Sequence, residues 1–178
     1  IPGYEGWTDE KGNKTAIRII DLMTHTSGLP AYADANMLKE KYGAPNRDGL
    51  IDYIAHCKRI FKPGTDMTYS CLNFITLQRI IETVSGDDLR TYAHKHVFDV
   101  LGMKNTDYNP SKEMAKRCAP TEKQANGKCL LGYVHDPLAG IMNGGISGNA
   151  GVFTTADDVA ILCAALQNGG EWNGHRIL

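Results

Sequence analysis

The run Pro63-Gly64-Thr65-Asp66-Met67-Thr68-Tyr69-Ser70-Cys71-Leu72-Asn73-Phe74 constrains this chain more tightly than any other. Proline fixes φ and lacks an amide donor, and glycine permits a left-handed turn, so whatever precedes must end here. A helical stripe then follows, Leu77, Ile80, Ile81 and Val84, and stops at Ser85-Gly86. Tyr69, Ser70 and Asn73 are therefore expected together at the mouth of one amphipathic helix. A phenol, a hydroxyl and an amide in one place suit a hydrolase site, although nothing adjacent supplies the base that would activate a hydroxyl.

The same punctuation divides the rest of the chain. Thr15 is the expected cap of a short helix carrying Ile17, Ile20 and Met23, stopped by Gly28 and Pro30. Residues 31–47 are polar and weakly periodic and read as loop with at most one helical turn. Asp48 is the expected N-cap of a helix striped by Leu50 or Ile51, Ile54, Cys57 and Phe61. After Gly86, Asp87 or Asp88 caps a helix that turns Leu89, Tyr92, Ala93, His96, Val97 and Val100 inward. So short a joint predicts that this helix lies against the one before it. From Lys104 to Tyr133 the periodicity fails, and Pro110, Pro120 and Gly127 mark a surface excursion. Asp136-Pro137 opens a short helix through Ala139. A glycine-rich span follows at 143–151, and then Thr155 and Asp158 form a capping box for a helix striped by Val159, Leu162, Cys163 and Leu166. Glu171 to Leu178 reads as the start of a hairpin. Strand signal is confined to the neighbourhood of Ile17, Thr106-Tyr108 and Val152-Phe153, so the expected class is mainly α.

Composition excludes some functions. Lys plus Arg number 19 against 20 for Asp plus Glu, which gives no electrostatic case for nucleic acid or an anionic membrane. No run of eighteen apolar residues is present, so no transmembrane helix is expected. The five cysteines are widely spaced with no C-x-x-C pair, which argues against a zinc knuckle. Cys57, Cys71 and Cys163 fall in helical patterns and read as small core residues, whereas Cys118 and Cys129 flank a polar loop and are a candidate disulfide.

Four places carry candidate chemistry. His25 is framed by hydroxyls and a sharp turn; it reads either as a catalytic or ligand histidine or as a residue that holds the loop by ring hydrogen bonds. Tyr69 is a potential acid or base, but a phenol with a reference pKa of about 10 needs a nearby cation, and no lysine lies within five residues. Ser70 lacks the surroundings of a nucleophile and is expected to cap; Asn73 can offer an amide to a bound carbonyl or close a helix–loop contact. The glycine-rich span lacks a phosphate-loop pattern, so its glycines are expected to allow tight turns and close backbone approach to a groove. His135-Asp136 would need a distant third ligand, His25 or His175, to hold a metal; Asp136 is adequately explained as a cap. No cofactor and no metal are expected.

Taken together, several segments resemble one family. Ile17-Arg18-Ile19-Ile20-Asp21-Leu22-Met23-Thr24-His25-Thr26-Ser27-Gly28-Leu29-Pro30, Phe61-Lys62-Pro63-Gly64 followed by Tyr69-Ser70, His135-Asp136-Pro137, and residues 144–158 are similar in order and spacing to the serine β-lactamase, penicillin-binding protein and esterase superfamily, in its class C-like branch. The resemblance covers nearly the whole chain. It implies an α+β β-lactamase/transpeptidase-like fold with a helical domain and a cleft. It also implies a Ser-x-x-Lys serine that forms an acyl-enzyme, with backbone amides as the oxyanion hole. Carried onto this chain, it makes Tyr69 the catalytic proton-network residue. Cys71, Asn73, Gly145 and Asn149 become substrate-binding positions, with His25, Ser70 and His135 as structural neighbours.

The departures shape the expectation. No Ser-x-x-Lys occurs in the 178 residues, and neither does the late-strand Lys-Thr-Gly or His-x-Gly motif. Cys71 stands where the family's second motif has asparagine, and Asn149 where a subgroup often has histidine. Residues 1–178 are thus expected to be one partial domain: the helical portion and one wall of the cleft, lacking the N-terminal Ser-x-x-Lys segment and the C-terminal strands. The parent is expected to act on a β-lactam, a D-alanyl peptide derived from peptidoglycan, or a small ester, in the periplasm or cell envelope, with the isolated chain inactive. The rival expectation is a non-catalytic helical binding or scaffold module; a third is a metal-dependent hydrolase using His25 and His135.

Overall fold

The computed structural model describes residues 1, 4 and 6–178. Strand β1 (Trp7–Thr8) pairs antiparallel with β2 (Lys14–Thr15), so Thr15 belongs to a small ribbon and caps nothing. The first helix, α1 (Ile19–Met23), begins instead at Arg18, whose backbone N–H and guanidinium both bond the Asp21 carboxylate. That charged clasp turns Asp21 and Leu22 inward and leaves Ile20 and Met23 exposed, so of the expected stripe only Ile17, ahead of the helix, packs against the core.

Helix α2 (Ala35–Tyr42) occupies the stretch expected to be loop. Its composition is polar, yet Asp34 caps two amide groups and Ala35 and Leu38 bury one narrow face, which suffices for two turns. In α3 (Arg47–His56) the cap is Asn46, not Asp48, and Leu50, Ile51 and Ile54 are buried as expected. An irregular segment then leads to α4 (Cys71–Ser85), the longest helix among the described residues. Its buried face is Leu72, Asn73, Ile75, Thr76 and Gln78, whereas Val84 is exposed. Polar residues hold positions that an apolar stripe cannot reveal.

Helix α5 (Leu89–Ala93), capped by Asp88, packs against α4 as the short joint predicts, and continues through a π-helical turn (His94–Phe98) into α6 (Asp99–Leu101). The wider turn shifts the helical phase, so Phe98 and Leu101 are buried and His96 faces solvent. Strand β3 (Asp107–Tyr108) is followed by α7 (Lys112–Ala115) and the hairpin β4 (Glu122–Lys123) with β5 (Cys129–Leu130). A π-helical turn, Leu138–Met142, is longer than the short helix expected and starts on the Asp136 carboxylate, which accepts from Ala139 N at 2.8 Å. The glycine-rich span then reaches β6 (Val152–Phe153), which returns to pair with β3.

Thr155 caps α8 (Ala156–Gln167), but Asp158 does not complete a box: its carboxylate accepts from Asn105 N and Thr106 Oγ, both at 2.8 Å, and ties α8 to the β3 approach. Ala165 is the deeply buried member of α8; Val159, Cys163 and Leu166 are exposed, so the expected stripe is only partly inward. Strands β7 (Glu171–Trp172) and β8 (His175–Arg176) form the expected hairpin. All five cysteines are free thiols, so Cys118 and Cys129 are not joined.

Two apolar cores result. One gathers Leu22, Leu29, Leu38, Leu50, Ile54, Leu72, Ile75 and Met142 from α1 to α4 and the Leu138 turn. The other joins Leu89, Phe98, Leu101, Met103, Tyr108 and Ala165, with Ile81 of α4 packed against it. Helix α4 therefore serves both. Among the described residues no helix is long and apolar enough to cross a membrane.

An ionic cluster pins the second core. Asp107 takes a bidentate pair from Arg90, Nε to Oδ1 at 2.7 Å and Nη2 to Oδ2 at 2.6 Å, and His94 bridges Asp107 and Asp99 at 3.0 and 2.9 Å. Burial would push the His94 imidazole down, but its bonds to Asp99 and Asp107 outweigh this and raise it. Burial likewise pushes Asp107 up, and Arg90 and His94 overcome it and hold the carboxyl low. A raised histidine contributes stability that is fully present below its unfolded pKa of about 6.5 and is lost as pH rises through the folded value. Stability should therefore decline as pH rises above the ordinary histidine range, and His94→Gln should flatten that decline when denaturation midpoints are measured across a pH series.

Candidate active site

The site is built on a backbone clasp. Residues 25–31 lie beside residues 60–71, joined by Ile60 N to Gly28 O at 2.7 Å, Gly64 N to Thr26 O at 2.8 Å, Thr68 N to His25 O at 3.0 Å and Cys71 N to Ala31 O at 2.9 Å. His25 adopts a left-handed conformation, φ 60°, a strained one for a residue with a side chain. The strain is held in place by the Thr68 bond on its carbonyl and by what its ring does.

The His25 Nδ1 atom receives the Ser70 backbone N–H at 3.1 Å. A peptide N–H only donates, so Nδ1 must be the unprotonated acceptor and Nε2 must carry the hydrogen. The same atom faces Asn73 Nδ2 at 3.0 Å, which orients that carboxamide and leaves its Oδ1 for the Ser27 hydroxyl at 2.5 Å. Ser27 Oγ in turn accepts from Leu29 N. The histidine ring also stacks on Tyr69, centroids 4.6 Å apart, and on Phe74 at 5.3 Å. Thus the ring that holds the helix start also braces the phenol beside it.

These contacts separate the expected site residues. Tyr69 is 64% exposed, presented to solvent immediately before α4 and not wedged into the core. Ser70 stands at the N-cap position but makes no side-chain cap: its buried hydroxyl donates to Pro30 O at 2.6 Å. Asn73 is 0% exposed with both ends of its amide engaged, so the expectation that it reaches a substrate carbonyl gives way to a structural role. His25 resolves to the second of its two readings, holding the loop, though across to α4 and not within its own turn.

The opposite wall comes from the glycine-rich span. Gly148 lies against α4 so closely that a Cβ there would sit 2.1 Å from Phe74 O, and its N–H bonds Gln78 Oε1 at 3.0 Å. Gln78 also donates to Ile146 O at 3.1 Å. Burial pushes the half-buried Cys71 thiol up, an effect reinforced by the Asp136 carboxylate and moderated by the Asn149 side chain. Gly145 is buried, and a Cβ on it would overlap the Asn109 amide; its glycine serves that packing and it is not open to a ligand as expected.

His135 is exposed, 3.7 Å from Glu122, and lines a groove of about 490 Å³ with Met114, Arg117, Cys118, Val152 and Phe153. Tyr69 and Cys71 are not among the residues lining that groove. The metal reading joined His135 to His25, whose Nδ1 is already filled by two donors; among the described residues no three His, Cys, Asp or Glu side chains gather as a metal site. Sequence reasoning missed Ser27, Gln78 and Asn143 as site-building residues. The one available signal was a glutamine at 78 inside an otherwise apolar helical stripe.

Comparison with known proteins bears on the family and the fold. A sequence model of the family described as Beta-lactamase matches residues 4–177. A Bacillus subtilis protein named N-acetylmuramyl-L-alanine amidase is 33% identical over 192 residues, covering 97% of this chain and 43% of the relative. Among solved structures, a penicillin-binding protein from Bacillus halodurans matches with TM-score 0.60 and 25% identity, over 85% of this chain and 46% of its own. A β-lactamase/D-alanine carboxypeptidase from Pseudomonas syringae matches with TM-score 0.67 and 21% identity, over 97% of this chain and 42% of its own. The chain spans less than half the length of each of these three proteins.

The His25–Asn73 bond makes a sharp prediction. Asn73→Asp keeps the shape but sets a carboxylate oxygen against the Nδ1 lone pair, and only an added proton can restore the bond. The variant should lose about 3 kcal/mol at pH 8 and recover part of it at pH 5.5, measured by denaturant titration at both values.

Proposed function

The chain belongs to the β-lactamase family, and from that premise we propose that it forms the helical portion of a serine hydrolase that opens an amide or ester bond through an acyl-enzyme. The observation that carries this is Tyr69, held exposed at the start of α4 by a histidine that touches both its ring and the adjoining backbone. A phenol so placed acts as the proton-network partner: its oxygen accepts the proton of the attacking serine hydroxyl while its own O–H proton passes to the neutral lysine amine, and the reverse relay protonates the leaving group. The serine and its lysine would come from a Ser-x-x-Lys motif outside residues 1–178, which accords with the chain's share of its relatives' length. By itself, the chain would then be inactive.

The relatives' names support a substrate from the cell wall, a D-alanyl or related peptide, with β-lactams and small esters as the chemically similar alternatives, and a location at the cell envelope. Gly145 and Asn73 drop out of the ligand-contacting set; Cys71 and Asn149 remain in it. Cys71 is also what favours the other reading, a non-catalytic module on the same fold, because a thiol replaces the amide expected there.

Turnover by the full-length gene product separates the two. Nitrocefin, a D-Ala-D-Ala peptide and p-nitrophenyl acetate form the panel, and at least one should be hydrolysed. Tyr69→Phe should lower kcat on that substrate by about a hundredfold or more with an unchanged melting temperature. A full-length protein that turns over none of the three, or a Tyr69→Phe variant as fast as the parent, would favour the scaffold reading.

A further inference from the structure

The groove of about 490 Å³ beside His135 takes no part in the chemistry assigned to Tyr69, yet it is built to hold a ligand. Met114, Val134, Val152 and Phe153 give it an apolar lining, and Arg117 and His135 add basic side chains. Both rims are tied down. On one, Thr121 donates from its backbone N to Leu130 O at 3.0 Å and from its hydroxyl to Tyr133 O at 2.7 Å. There too, Gly132 lies so close to α7 that a Cβ would sit 2.6 Å from Ala115 Cβ. On the other rim, the Thr154 and Thr106 hydroxyls bond at 2.7 Å. A groove fixed in this way needs little ordering to accept a ligand.

Arg117 decides what that ligand carries. Its Nη2 donates to Asn105 Oδ1 at 3.0 Å, and the Asn105 backbone N–H is itself held by the buried Asp158 carboxylate at 2.8 Å. The guanidinium is thus positioned by a neutral amide, and among the described residues it makes no ion pair. The surrounding charge has the same sign. Residues 104–135 hold Lys104, Lys112, Lys116, Arg117, Lys123 and Lys128 against Asp107, Glu113 and Glu122. Asp107 is taken by Arg90 and His94, Glu113 by Lys116 at 2.8 Å, and Glu122 stands 3.7 Å from His135. The excursion is therefore basic on a chain whose formal net charge is -1, and it complements an acidic partner.

Position says which acid. Gly151 and Val152 continue the wall that carries Gly148, and His135 adjoins the Asp136 that starts the Leu138 turn, so a peptide lying along that wall runs on into the groove. Resting on the reading of the chain as part of a hydrolase of cell-wall peptides, we propose that this groove binds a free carboxylate which the peptide carries at a distance from its scissile bond. Arg117 takes the carboxylate through paired N–H bonds, and the apolar lining covers the methylene and methyl groups beside it. Neither Tyr69 nor Cys71 lines the groove, so this recognition is separate from the reacting end.

The test uses the full-length gene product and two probes with no D-Ala-D-Ala bond to cleave. One is N-acetyl-L-Ala-γ-D-Glu-L-Lys amide, whose D-glutamate keeps a free α-carboxylate; the other is the same tripeptide with that carboxylate amidated. Calorimetric titration should show the acid binding about tenfold or more tighter than its amidated form. Arg117→Gln, at an exposed position with little risk to folding, should abolish that difference with an unchanged melting temperature. Affinity that ignores the carboxylate, a difference that survives Arg117→Gln, or no binding of either tripeptide would overturn the inference. None of those results bears on the hydrolase reading, which turnover tests separately. A protein that turns over nothing yet binds the acidic tripeptide through Arg117 would lose the hydrolase reading and keep the groove's assignment.

Discussion

A single hydrogen bond, from the Ser70 backbone to His25 Nδ1, organises the candidate site. It fixes the histidine tautomer, the tautomer fixes the Asn73 amide, and that amide fixes the Ser27 hydroxyl. Each step follows because a peptide N–H can only donate and a buried polar atom left unpaired costs about 1–3 kcal/mol. The consequence reaches the surface: the ring that accepts this bond lies against Tyr69 and holds the phenol out beside the helix start. His25 tolerates its left-handed backbone because the contacts on both sides of it require that conformation.

Helix α4 carries the same logic along its length. Asn73, Thr76 and Gln78 are buried in a helix that also supplies Leu72 and Ile75 to the main core. Polar groups in such positions add little net stability when satisfied, about 1 kcal/mol each, but they penalise any alternative packing that leaves them unmade. Asn73 ties the helix to the His25 loop and Gln78 ties it to the glycine-rich span, so the two walls are registered to one rigid element about a turn and a half apart. Site geometry of this kind is better supported than one carried on loops alone.

Much of the frame was legible in the sequence. The apolar face of α3, the docking of α5 on α4, the β3 and β6 pieces and the final hairpin all follow from turn chemistry and periodicity, whereas α3 ends at His56, well before the Pro63-Gly64 stop expected for it. What escaped has specific causes. Helix α2 is masked by its lysines and glutamate, because only Ala35 and Leu38 need to be buried. The π-helical turn after Ala93 adds a residue to the repeat and puts Phe98 inward where a regular helix would put its neighbours. Asn73 reads as ligand-facing from its place near Tyr69, but its partners lie 46 and 48 residues back in the chain, beyond any local pattern. The family resemblance nominated Tyr69, Cys71 and Asn149; it could not say that the Ser147 hydroxyl bonds the last of these.

The most direct test of this account is the tautomer of His25, read from two-dimensional nitrogen–proton correlation of the labelled imidazole ring near pH 8. A pyridine-type Nδ1 with a pyrrole-type, protonated Nε2, in slow exchange and lost in His25→Gln, is the result expected. A protonated Nδ1, or a ring averaging between tautomers, would contradict it, because the Ser70 N–H and the Asn73 amide would then lack their acceptor on the ring.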